Sequence, residues 1–340
     1  MNSASPSDIA GAETSQGRIP LLLQRLRSTS SLAARIRDYG IVVAFGLLFV
    51  GLSITSSSFL TSTNLLNILD QNAALGIIAC GLTLVFIAGG FDFSVGAIFG
   101  LVGVVSAEVA IHVATFLGLL SGVLVGLTLG MVNGTLATFG RINSFIATLA
   151  TSIIIGGLAV VIAQGQLITV SDPAFASLGR GSVGAVKYTT IIWFIVAVVA
   201  TVMLTRSALG RYIYAVGGNA EAARLSGVRV NLIRGMTFAI SGACAGVGGV
   251  LEASRVATGE ADVGGVNLVL TVVAATVIGG TSILGGEGAI WRSTLGLLFL
   301  ALIGNGFNLL NIDPIYQQIL QGGIILLAVG IDAWARRGAP

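Results

Sequence analysis

Apolar runs of about 20 residues recur along this chain, and that repetition limits what it can fold into. A single run of this length can be a buried core helix. A series of them separated by short polar breaks is what a bilayer requires, because a helix satisfies its own backbone groups in hydrocarbon. Ten candidate spans lie near 40–60, 66–88, 93–112, 115–136, 144–163, 189–205, 232–252, 263–280, 290–310 and 316–334. The expected fold is an all-α integral membrane protein with about ten transmembrane helices. Two spans are weak. The second opens on Asn64, Asn67, Asp70, Gln71 and Asn72, so its first turns need shelter from protein. The eighth is short.

Composition excludes the soluble alternative. Charged residues make up 9% of the chain and hydrophobic ones 55%, whereas soluble domains carry charge at about a quarter of positions. Forty-eight glycines with five prolines fit closely packed membrane helices. Cys80 and Cys244 both fall inside apolar runs, there is no CxxC, and the chain has one histidine. Neither a metal site nor a disulfide framework is expected.

Basic residues orient the chain. With residues 1–38 as a cytoplasmic tail, 14 of the 17 basic residues fall inside: Arg18, Arg25, Arg27, Arg35 and Arg37 in the tail, then Arg141, Arg206, Arg211, Arg224, Arg229, Arg234, Arg292, Arg336 and Arg337. Arg180, Lys187 and Arg255 fall outside. Nine or eleven spans would put Arg336 and Arg337 on the wrong side. The predicted organisation is therefore a tail at 1–38, a transmembrane domain at 39–335 and a short tail at 336–340, with both termini cytoplasmic. The largest outer loop, 164–188, is either a docking place for an external partner or a solvated connector.

Two stretches stand out. Gly118, Gly122, Gly126, Gly130 and Gly134 recur every four residues, giving one helix face without side chains over about 24 Å. Such a face admits a second helix at close range, from the same chain or from a second subunit. The other stretch is the cytoplasmic loop 206–231. It contains four arginines and a short helical core, with Asn219 in the N-cap position, then Glu221, Ala222, Ala223 and Arg224, closed by Gly227. Gly217 and Gly218 are expected to form the turn that opens it. Glu221 and Arg224, at i and i+3, can pair with each other or with a partner.

The loop LGRYIYAVGGNAEAARLSGV resembles the signature loop of permease subunits of bacterial sugar ATP-binding-cassette importers of the ribose and xylose type. These belong to the superfamily that includes branched-chain amino-acid permeases. Other segments continue the resemblance in order from residue 40 to 335: Gly89-Gly90-Phe91-Asp92-Phe93-Ser94-Val95-Gly96, Val132-Asn133-Gly134, Ser144 to Thr151, Ile278-Gly279-Gly280-Thr281-Ser282 with Gly285-Gly286, Asn305 to Leu310, and Tyr316-Gln317-Gln318. The resemblance implies a type II importer-like permease fold in the bacterial inner membrane. It implies a coupling helix at about Asn219–Gly227, pushed by a separate cytoplasmic ATPase that uses ATP and Mg. It further implies a second copy of the permease or a paralogue, and a periplasmic or extracellular solute-binding protein. This chain would bind no cofactor and be no enzyme. Its only lysine, Lys187, lies outside any P-loop pattern. No nucleic-acid partner is expected.

Asp92 and Ser94, near the cytoplasmic side, are read as structural or gate-hinge residues ahead of substrate contact, and Asn72, Asn133, Asn305, Asn308 and Gln318 as pathway candidates. Hydrogen-bonding side chains suit a neutral polyhydroxy solute, a monosaccharide first. Inositol, a nucleoside, an autoinducer furanose or a branched-chain amino acid are alternatives. The chain departs from the family pattern at Val269-Leu270-Thr271, where relatives carry two carboxylates, at Glu287, where they carry arginine, and at Arg292. The competing class is a secondary transporter driven by an ion gradient, which needs carboxylates or broken helices at an ion site.

Overall fold

Short polar side chains start several of the helices. Thr61 accepts from the amide of Asn64, Asn143 from Phe145 and Ile146, Asp172 from Ala174, Ser207 from Gly210 and Asn219 from Ala222. Each satisfies a donor that the helix itself leaves unpaired, a contribution of about 1 kcal/mol. The computed structural model describes residues 39–313, 315–317, 319–320, 322–324, 326 and 330. The expectations for residues 1–38, Gln318 and 336–340, and much of the tenth span at 316–334, lie outside the described residues.

The helices are α1 (Tyr39–Thr55), α2 (Ser62–Ile87), α3 (Val95–His112), α4 (Thr115–Thr138), α5 (Ser144–Ala163), α6 (Pro173–Arg180), α7 (Tyr188–Arg206), α8 (Ala208–Gly218), α9 (Ala220–Leu225), α10 (Val230–Val256), α11 (Val266–Ile278) and α12 (Ile290–Leu309). Among the described residues, α2, α3, α4, α5, α7, α10 and α12 are long and apolar enough to cross a membrane. Two short antiparallel pairings, β1 (Ile168–Thr169) with β4 (Thr258–Gly259) and β2 (Ser182–Val183) with β3 (Val186–Lys187), complete the structure.

Of the ten expected spans, the tenth at 316–334 lies in large part outside the described residues, and α1 and α11 are apolar but shorter than these seven helices; for α11 the shortness has a physical cause. Its 13 residues span about 20 Å, less than the hydrocarbon thickness. Glycines limit it at both ends. A β-carbon on Gly264 would stand 1.8 Å from the carbonyl oxygen of Gly96, and Gly280 has a φ of +78°. Non-helical backbone at such a place is tolerated because protein covers it. The first span ends at Thr55 instead of reaching residue 60.

The core is built on α2, α3 and α10. Every residue of α2 from Gly76 to Ile87 is buried, so this helix is apolar all round, as a central helix must be. Its polar opening turns find protein partners: Thr189 donates to Asp70, Asn72 donates to the carbonyl of Ile68 at 2.8 Å, and Asn64 pairs with Asn305 of α12. The glycine face of α4 turns inward. Gly126 and Gly130 abut Gly242 of α10, and Gly118 abuts Ala110 of α3, so helices of the same chain fill it. The opposite sides of α4, α5 and α7 present exposed apolar residues such as Phe116, Ile153, Val161 and Phe194.

The 164–188 segment is no bare connector. It contains α6, whose Phe175 carbonyl and Gly179 amide both bond the buried Ser254 hydroxyl near the end of α10. Lys187 donates to the carbonyl of Arg180, and Arg180 to that of Arg255. Asp172 accepts from the Thr115 hydroxyl and the Ala174 amide, and these bonds hold its carboxyl below the ordinary carboxylate range.

Candidate functional site

The 206–231 stretch is more ordered than a loop with one helical turn. Ser207 caps α8, which buries Gly210, Ile213 and Val216 against the body of the protein. Asn219 ends α8 and caps α9, its Oδ1 accepting from the Ala222 amide at 2.9 Å. Gly227, at φ +83°, closes α9, as its position in the sequence implies. The opening turn is Asn219 itself, at φ −155°, and not the glycine pair. Gly217 and Gly218 are the last residues of α8, and Gly217 is there for a close approach. A β-carbon on it would stand 1.7 Å from the Ile87 carbonyl oxygen and 2.6 Å from the Gly286 amide.

On α9, Ala223 is buried while Glu221 and Arg224 are 62% and 69% exposed. The two bond each other at 2.7 Å. An exposed pair at this spacing contributes only about 0.2–0.5 kcal/mol, so a partner can exchange it cheaply. Ala222 contributes the amide that Asn219 caps.

A second cluster gathers three of the quoted motifs. Asp92 is fully buried. Its Oδ1 accepts from the Ser94 amide at 3.1 Å and the Ser94 hydroxyl at 2.6 Å, and its Oδ2 accepts from the Ser241 hydroxyl at 2.9 Å. Asn133 donates to the Ser94 hydroxyl at 2.6 Å. The amides of Phe91 and Phe93 bond the hydroxyls of Ser144 and Thr148, and the Phe145 ring lies edge-on to both phenylalanines. This cluster ties the chain between α2 and α3 to α4, α5 and α10. Asn133 thus serves a helix–helix contact and lines no described cavity.

The pathway candidates separate accordingly. Asn72, Asn305 and Asn308 do come together. They line a cavity of about 300 Å³ with Gln71, Thr271 and Gln317 as its other polar residues. Its walls are α2, α11 and α12 with Gln317 beyond α12, and none of the described lining residues is ionisable. Asp92 and Ser94 lie elsewhere. The reciprocal amide pair of Asn64 and Asn305, at 3.1 and 2.7 Å, sets which way the Asn305 carboxamide faces. Glu108 and His112 bond each other at the exposed end of α3, away from the cavity.

Sequence reasoning missed several members: α8 as a helix, Ser241, Gln71, Thr271 and Gln317. Ser241 gives no signal, being one small hydroxyl in an apolar run. Thr271 was visible only as a departure from a pattern. Tyr214, unremarked in the sequence, donates to the Gly288 carbonyl at 2.7 Å. Burial pushes its phenol up, against a smaller pull from Arg292, so the hydroxyl stays a donor.

The sequence is similar to known proteins over most of its length. Residues 64–329 match the family model described as branched-chain amino acid transport system / permease component. The ribose import permease protein RbsC of Haemophilus influenzae is 38% identical over 295 residues, covering 85% of this chain and 91% of that protein. The L-arabinose ABC transporter permease protein AraH of Azospirillum brasilense is 37% identical over 303 residues, 88% of this chain and 89% of the relative. The D-allose transport system permease protein AlsC of Escherichia coli is 36% identical over 294 residues, 86% and 88% respectively. No solved structure matches. A family match over residues 64–329, with relatives above 30% identity along most of both chains, makes this chain a member of the branched-chain amino acid transport system / permease component family.

Proposed function

We propose that this chain is the membrane-spanning permease subunit of an ATP-binding-cassette importer for a monosaccharide. The observation that carries the solute class is the cavity between α2, α11 and α12. Five of its polar residues, Gln71, Asn72, Asn305, Asn308 and Gln317, are carboxamides placed with Thr271, and among the described residues no ionisable one lines it. Carboxamides donate and accept at once, which matches a hydroxyl-rich neutral solute. At about 300 Å³ the space is at the small end of small-molecule sites. The sugar permeases among the relatives point to the same class.

The finer reading follows the basic residues. The chain lies in the bacterial inner membrane with both termini cytoplasmic and about ten spans. That orientation places α8 and α9 inside and α6 outside. A cytoplasmic ATPase binds at α9, using ATP and Mg that this chain does not hold, and a second permease copy or paralogue completes the pore. A solute-binding protein delivers the sugar to the outer face. An ion-driven transporter would need a titratable group in the pathway, and the described residues of the cavity wall include none.

Reconstitution of the permease with its ATPase and binding protein in liposomes tests this. Expected is ATP-dependent uptake of a pentose or hexose, with no uptake under a sodium or proton gradient alone. Gradient-driven uptake by the purified permease without ATPase would overturn the reading. A charge reversal, Glu221→Lys or Arg224→Glu, should weaken ATPase binding while leaving membrane insertion intact.

A further inference from the structure

The three helices that wall the cavity share an arrangement at their opposite ends. The cavity is lined from Ile68 to Asn72 on α2, by Thr271 on α11, and from Leu297 to Asn308 on α12. Followed away from it, α2 ends at Ile87, α11 ends at Ile278, and α12 begins at Ile290. The segment from Gly279 to Ala289 joins the last two. All three ends therefore meet at one place, about 22 Å from Asn72 along α2.

α8 is seated on that place through backbone. The Gly286 amide bonds the Ile87 carbonyl at 2.9 Å. Gly217 lies against both of these groups, where no side chain fits. A β-carbon on Gly285 would stand 2.8 Å from the Gly217 carbonyl oxygen and 2.9 Å from the Gly89 α-carbon. The Tyr214 hydroxyl bonds the Gly288 carbonyl, two residues before α12 begins. Around these contacts Ile87, Ile213, Val216, Ala223 and Ile290 share one buried cluster, which includes the inward side of α9. Only Asn219 separates α8 from α9. Backbone packed on backbone cannot be absorbed by a rotamer change, so a displacement of α9 must move the helix ends.

We propose that Gly217 and Tyr214 are positioning residues that form a joint through which movement of α9 sets the separation of the cavity walls. This rests on α9 being the ATPase contact. The joint holds the ends of α2 and α12 to α8. A rigid-body shift of α8 and α9 tilts both helices about the joint and changes the access of solute to Thr271 and Asn308. Packed helices transmit such shifts because they occupy discrete arrangements.

The test uses the assembled transporter in nanodiscs, with Cys80→Ala and Cys244→Ala as background and Thr271→Cys as reporter. A water-soluble maleimide reports access with and without ATP and vanadate. In the background protein, labelling is expected to change at least threefold between the two states. Tyr214→Phe removes one hydroxyl and keeps the ring. It is expected to reduce that change to less than 1.5-fold and to lower solute moved per ATP hydrolysed at least threefold, with ATPase binding retained. Gly217→Ala should do the same more strongly. If Gly217→Ala does not assemble, Tyr214→Phe decides. Labelling independent of nucleotide in the background protein would overturn the proposal, as would unaltered labelling and coupling in Tyr214→Phe. Loss of the ATPase-contact reading is distinct, since it appears as unchanged ATPase binding in Glu221→Lys and Arg224→Glu.

Discussion

Gly126 of α4 and Gly242 of α10 face each other as bare backbone. A β-carbon on Gly126 would stand 2.6 Å from the Gly242 carbonyl oxygen, and one on Gly242 would stand 2.4 Å from the Gly126 carbonyl oxygen. The obstruction is reciprocal and made of main chain, so neither side can yield by turning a side chain. The four-residue glycine repeat of α4 thereby becomes the seam that joins α4 to the core helix α10.

Gly126→Val is expected to separate these helices. Overpacking a filled interior costs about 1–3 kcal/mol, and backbone obstruction places this site at the upper end. Gly157→Ala on α5 is the control, because nothing lies within 4 Å of a β-carbon there. Thermal unfolding in detergent should show a clear fall in Tm for the first and no fall for the second.

Asp92→Ala removes the acceptor for the Ser94 amide and for the Ser94 and Ser241 hydroxyls, all buried. Leaving such donors unpaired costs about 1–3 kcal/mol. Asp92→Asn keeps one acceptor oxygen and should lose less. Since the cluster holds α2 to α3, α4, α5 and α10, the expected outcome is lower Tm and yield before any change in solute preference. A purified Asp92→Ala protein with wild-type Tm would contradict this.

Asn64 and Asn305 should be energetically coupled. Their amides donate to each other at 3.1 and 2.7 Å in a partly buried setting. A double-mutant cycle with Asn64→Ala and Asn305→Ala is expected to give an interaction of about 0.5–3 kcal/mol, read from stability. Asn64→Ala, which lies outside the cavity lining, should also weaken uptake because the Asn305 carboxamide is then free to turn. Strictly additive effects would sever the link.

Asn219→Ala deletes the cap of α9. The expected cost is about 1 kcal/mol. In so short a helix that shows as faster amide hydrogen exchange from Ala222 to Leu225, with the transmembrane helices unaffected. Unchanged exchange there would mean that the burial of Ala223 alone holds the turn.

Asp172 carries a pH dependence on the 164–188 segment. Its carboxyl is held below the ordinary value by the Thr115 hydroxyl and the Ala174 amide. A depressed folded pKa means that the contribution is complete above the unfolded value of about 3.9 and is lost as pH falls through the folded value. Thr115→Val should raise the carboxyl toward its ordinary range, so that protonation begins at a higher pH. Difference infrared titration against Asp172→Asn would detect this. An unchanged midpoint in Thr115→Val would remove Thr115 as the cause.

Much of the architecture was legible in the residue order because a bilayer imposes a single-residue rule. Apolar length marks a span wherever it occurs, and most of the long helices begin and end within a few residues of the expected limits. The cap at Asn219 and the closing Gly227 were also legible, since they depend on a few local residues. The eighth span is short in the sequence but without a visible cause there, because the breaks at Gly264 and Gly280 depend on neighbours that only the fold supplies.

What the sequence by itself determined is thus the set of properties carried by one segment at a time: membrane spans, caps, a smooth glycine face and the family motifs. The tertiary structure alone decided which segments meet. Gly217 reads in the sequence as part of a turn and in the structure as the seat of Ile87. Asn133 and Asn305 read alike as polar groups in apolar runs, yet one bonds Ser94 in a closed core and the other faces a cavity. Nothing local distinguishes them, because the difference lies in partners 39 and 241 positions away along the chain. Only packing brings those partners to hydrogen-bonding distance.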